Sequence, residues 1–167
     1  MKTDVLGAQV TLDWEHHLVH MAKMFKISDE DASVDIIGPK YWMIKLAADA
    51  PHLHAKFVVI GTAGIKAELF ETPTITGDGS ALAIVAHNRV RPLRTLSGIT
   101  AFYDTTVSGD GTLLVVARAG GGRPLQPGGT ARSEAEWTLE TALNYILKVT
   151  VVGDGTTVTF GAGVYQD

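Results

Sequence analysis

Gly-Asp-Gly occurs three times, at Gly77-Asp78-Gly79, Gly109-Asp110-Gly111 and Gly153-Asp154-Gly155, each copy between runs of alternating, branched residues. Glycine reaches the positive φ values that a tight reversal needs, and aspartate beside it bonds its own turn backbone. ELFETPTIT and SALAIVA flank the first copy, AFYDTTVS and TLLVVARA the second, ILKVTVV and TTVTFGAGV the third. The expectation is three β-hairpins that share one turn. The copies are unequally spaced and their flanks do not repeat in register, which reads as recurrence of a turn and not of a module. Calcium is the other reading of aspartate beside glycine. Calcium loops, however, crowd several acids at close spacing, and each copy here supplies one.

At 167 residues the chain fits one domain with a core of its own. Residues 1–14 show no period and are expected to form an N-terminal arm, followed by a single domain over 15–167. Glu15 to Ile27 (EHHLVHMAKMFKI) suits a helix or a strand, and periodicity does not separate the two. The acidic stretch Ser28 to Asp35 reads as a loop. Tyr41 to Ala48, His54 to Ile60, Ile65 to Glu71 and Thr156 to Tyr165 read as strands. HNRVRPLRTLSG after Ala86 reads as a long connection from one sheet to another, and Gly120 to Thr130 as a flexible glycine-rich loop. Ser133 to Leu147 carries a capping-box pattern, but the alternation of Trp137 and Leu139, then Tyr145, Leu147 and Val149, favours two strands joined near Glu140 to Asn144, with a helix as the alternative. Long connections between short hairpins are the habit of Greek-key sandwiches. The expected fold is therefore all-β: an antiparallel β-sandwich, jelly-roll-like, with long loops.

A formal net charge of −4 gives no electrostatic pull toward polyphosphate, so nucleic acid is not an expected partner. The absence of cysteine removes disulfides and thiolate metal sites. No apolar run approaches the length of a bilayer span, and the N-terminus has no signal-peptide core, so synthesis in a cytoplasm and no membrane partner are expected. His16, His17 and His20 could supply imidazole to a metal, but the glutamate of H-E-x-x-H is missing between them, and no metal or cofactor is expected. No G-x-S-x-G elbow is present, the glycine-rich stretch lacks the P-loop lysine, and Glu68 and Glu71 face opposite sides of a strand. No catalytic residue is assigned and no enzyme activity is expected. Arg89, Arg91, Arg94, Arg118, Arg123 and Arg132 lie in or beside predicted loops. Their guanidinium forks suit carboxylates on a protein partner, with a solvated loop surface as the alternative.

The patterns H-x-x-x-H-M-A-K-M-F from His16, E-L-F-E-x-P-x-x-x-G-D-G-S-A-L followed by H-N-R, then G-D-G-T-L-L, and W-x-L-x-x-x-x-x-Y-I-L-K-V-T from Trp137 resemble a family of small virion proteins of tailed bacteriophages. The resemblance covers most of the chain from His16 to Tyr165. It implies a capsid decoration, or cement, subunit: a jelly-roll sandwich on the outside of the head shell, bound to the major capsid protein, associated into dimers or trimers and assembled in the host cytoplasm. A jelly roll can also bind carbohydrate or a receptor at a tail or head fibre, with Trp14, Trp42 and Trp137 as stacking candidates.

Overall fold

The computed structural model describes residues 2–3, 9–10, 21, 23–88, 97–119, 129–132 and 136–166. Every regular element among them is a strand. In chain order these are β1 (Lys2–Thr3), β2 (Gln9–Val10), β3 (Met24–Val34), β4 (Lys40–Leu46), β5 (Leu53–Gly61) and β6 (Ile65–Glu71). There follow β7 (Thr74–Gly77), β8 (Ser80–Leu82), β9 (Ile84–Ala86), β10 (Ile99–Tyr103) and β11 (Thr106–Gly109). The last are β12 (Thr112–Ala119), β13 (Gly129–Arg132), β14 (Trp137–Leu139), β15 (Asn144–Val151) and β16 (Thr156–Gln166).

The expected antiparallel sandwich is the fold that forms. One sheet has the order β12-β6-β15-β4-β10-β8 and the other β13-β5-β16-β3-β9, with β14 beside the first half of β5 and β13 beside the second; β1 and β2 make a separate two-stranded ladder. Alternation explains the packing. Trp42, Ile44 and Leu46 of β4 and Tyr145, Leu147, Val149 and Val151 of β15 point inward. They meet Leu53, Ala55, Phe57 and Val59 of β5 and Val158, Phe160, Ala162 and Val164 of β16. Burial of this apolar set is the main force holding the sheets together. β8 lies in one sheet and β9 in the other, so the chain changes sheets at Ala83. β9 and β10 likewise lie in different sheets, so the long connection between them does cross as expected.

The three expected hairpins do not form. The strands on either side of each Gly-Asp-Gly pair elsewhere: β7 with β11, β8 with β10, β12 with β6, and β15 and β16 lie in different sheets. The first two copies instead interrupt one long antiparallel ribbon, whose register continues from Glu71↔Thr112 through Thr74↔Gly109 and Gly77↔Thr106 to Ser80↔Tyr103. At each interruption positive-φ residues fall opposite one another, Thr72 (52°) facing Gly111 (86°) and Asp104 (54°) facing Gly79 (87°). The ribbon is also a repeat: Phe70, Thr74, Ile75, Gly77-Asp78-Gly79 and Leu82 recur in the same order as Phe102, Thr106, Val107, Gly109-Asp110-Gly111 and Leu114. Here the recurrence is of a module, contrary to expectation; only the third copy is a bare connection.

This ribbon forms a strap. It starts as β6 and β12 on one side of the first sheet, ends as β10 and β8 on the other, and carries β7 and β11 across the outer face of β15 and β4. Ile75 and Val107 from the strap pack on Met43, Phe70 and Ile146, a second small core outside the sandwich. The aspartates tie it down: Lys45 Nζ lies 3.1 Å from Asp78 Oδ2, Lys148 Nζ bonds Asp110, the Tyr41 hydroxyl donates to Asp110 Oδ1 at 3.1 Å, and Lys40 Nζ donates to Asp104 Oδ1 at 2.8 Å. Each partly exposed ion pair contributes at most about 1 kcal/mol, so the pairs fix where the strap lies more than they hold the fold.

Two further readings change. Ser28 to Asp35, expected as a loop, is mostly the second half of β3, paired along its length with β16. Its acids have distant partners: the Trp42 indole Nε1 donates to Asp29 Oδ2 at 2.8 Å and Lys40 lies 2.9 Å from Asp31. Trp137–Leu139 and Asn144–Val151 are the two strands expected, but they belong to different sheets; the Glu140 amide donates to the Tyr145 hydroxyl at 2.8 Å across the turn between them.

Candidate interaction surface

The ends of the sandwich differ. At one, called here the Gly38 end, the β3–β4 turn meets the β15–β16 connection. The Ile36 amide donates to Asp154 Oδ1 at 2.7 Å and the Gly155 amide to Asp35 Oδ1 at 3.3 Å. The third Gly-Asp-Gly therefore clamps one loop to another. Ile37 is 91% exposed, Ile36 50% and Val152 78%. The connection after Ala119, which lies opposite Ile65, returns at Gly129 opposite Gly61, so it leaves and re-enters at this end. At the other, the Gly98 end, the chain leaves β9 beside Met24 and returns at Gly98, whose carbonyl accepts the Ala47 amide at 2.8 Å.

The described strands that border the two arginine-bearing connections meet them at opposite ends. Arg118 is exposed on β12 opposite Lys66, and Arg132 sits on β13 opposite Val58, on the two edge strands that flank the connection holding Arg123. Arg89, Arg91 and Arg94 belong to the connection at the opposite end. Arg89, Arg91, Arg94 and Arg123 lie outside the described residues, as do His16, His17, His20, Trp14 and most of the arm. Trp42, a stacking candidate, is buried against Phe160 with ring centroids 5.5 Å apart. Among the described residues no group of three histidine, aspartate or glutamate side chains is placed to hold a metal, and no helix is long and apolar enough to cross a membrane.

The outer face of the second sheet carries a trough of about 310 Å³. Gly161 and Gly163 of the central strand β16 are its floor, Val58 and Ile60 of β5 one wall, and Lys26, Ser28 and His87 the other side. Further along this face His54 Nδ1 lies 2.8 Å from Glu136 Oε1 and its ring stacks on Tyr165 at 4.7 Å. Sequence reading missed this cluster because its members are distant along the chain and match no motif. It fastens the start of β14 to β5 and β16.

The Tyr165 hydroxyl bond, against the opposing effect of burial, and then His54 hold the Glu136 carboxyl below its usual range. Burial would raise Asp31, but the bonds from Lys40 and the Ser33 amide outweigh it and its pKa is lowered. The Asp110 bond raises Lys148, Asp104 and then Asp31 raise Lys40, and burial raises the Tyr41 phenol. The lowered carboxyls add stability that is present above their unfolded pKa near 4 and lost as pH falls through their folded values. The raised groups add stability present below an unfolded pKa near 10 and lost as pH rises through their folded values. Melting temperature is therefore expected to be flat between about pH 5 and 9 and to fall on both sides. A thermal-melt series across pH checks this; a maximum inside the acid limb contradicts it.

No family model matches the chain, and no curated protein matches it.

Proposed function

We propose that this chain is a structural virion protein that binds the outside of a bacteriophage capsid and stabilises it, a decoration or cement subunit without chemistry of its own. The observation that carries the reading is that the chain enters and leaves its two arginine-bearing connections at opposite ends of the double sheet. A subunit gripping at both ends can tie neighbouring shell proteins together, and several weak contacts made at once hold far better than any one. The sequence resemblance supports the same role, with the major capsid protein as partner. The carbohydrate-binding alternative has less support, because Trp42 is in the core.

The test adds purified protein to empty capsids. Saturable co-sedimentation is expected, with occupancy reduced by deletion of Met1 to Asp13 or by Arg118→Glu, both with an unchanged β-sheet circular dichroism signal. Absence of co-sedimentation, together with binding to a glycan array, would reject the reading in favour of a receptor-binding module.

A further inference from the structure

We propose that the protein self-associates tip to trough: the Ile36-Ile37 turn of one copy seats in the glycine-floored trough on the outer face of the second sheet of the next. This goes beyond the capsid reading and does not depend on it.

Three observations carry the inference. Turn tips ordinarily bear polar residues or glycine, yet this one presents two isoleucines, with Val152 exposed on the adjoining connection. The two amide bonds across Asp35 and Asp154 already hold the tip in shape, so little ordering is lost when it docks. The trough is the complementary form. Glycine weakens the interior of a strand and often marks close approach by another chain. Neither Gly161 nor Gly163 has a positive φ, and a Cβ at Gly161 would meet nothing nearer than the Val58 carbonyl oxygen at 3.9 Å. The backbone does not demand glycine there; what the glycines supply is open space beside Val58 and Ile60. Charge agrees as well: the tip is flanked by Asp35 and Asp154, and the charged side chain lining the trough is Lys26, while Glu30 at the margin accepts from Thr159.

Tip and trough are different surfaces, so the contact is heterologous and adds copies in one direction until a ring closes. One turn in one trough is a small interface and belongs to the weak class, so mass must be followed over a concentration series.

Two substitutions separate the halves of the contact. Ile37→Asp places a charge on the tip at a site too exposed to affect folding, and Gly161→Val fills the trough with a residue that suits a strand. By sedimentation analysis the wild type is expected to grow beyond protomer mass as concentration rises, and each variant to remain a protomer with an unchanged melting temperature. Mixed, the two variants are expected to form a complex of two chains and no larger species, because one keeps an intact trough and the other an intact tip. A wild type that stays at protomer mass, single variants that associate like the wild type, or a mixture that does not pair would each overturn the proposal.

Discussion

Gly79→Ala and Gly111→Ala are each expected to lower stability by about 3 to 5 kcal/mol, the upper range for one substitution. At Gly79 an added Cβ would lie 2.1 Å from the Tyr103 carbonyl oxygen and 2.8 Å from the Asp104 carbonyl carbon; at Gly111 it would lie 2.2 Å from the Glu71 oxygen and 2.8 Å from the Thr72 carbon. These obstacles are backbone atoms of the opposite ribbon strand, which cannot swing aside as a side chain can. Both glycines also have φ values near +87° that side-chain-bearing residues rarely adopt. The loss would take much of the 5 to 15 kcal/mol typical of a domain. Urea titration of the two variants beside Gly161→Val checks the claim. Midpoints within experimental error of the wild type would show that the ribbon can shift, and that the two opposed kinks do not fix its path.

Phe160→Ala comes second, with an expected loss of about 3 to 5 kcal/mol. Phe160 is 2% exposed, at the middle of β16, and its ring stacks on Trp42 at an interplanar angle of 18°. Its removal leaves a cavity between the two sheets where neither can collapse without breaking strand pairing. The indole beside that cavity is the one bonded to Asp29, so a change in tryptophan emission should accompany the lower denaturation midpoint. An unchanged midpoint would mean that the sheets close over the gap.

Much of the fold was legible because alternation reports which face of a strand is buried. Alternation alone marks Ile65–Glu71 to the residue, and β4, β5 and β16 to within two residues at either end. What local sequence does not carry is the identity of each strand's partner. Gly-Asp-Gly signals a change of direction truthfully, but Gly79 is shaped by Tyr103 and Asp104, and Gly111 by Glu71 and Thr72, none of them its neighbours. The third copy obscures the repeat, because it keeps the threonine, as Thr150, but has Ile146 and Val158 where the other two have Phe and Leu. Ser28 to Asp35 reads as a loop from its charge alone; Lys40 and Trp42, which neutralise or bond two of those acids, come from another strand. The arginines are identifiable by type, but the ends at which their connections join the sheets follow from strand order.

The strap has a mechanical consequence. β4 and β15 are paired to one another, flanked by β6 and β10, and roofed by the ribbon that continues from those same flanking strands. Under tension they cannot be unzipped from one side one bond at a time; they must slide lengthwise against both neighbours while the roof is torn away, which loads many bonds in parallel.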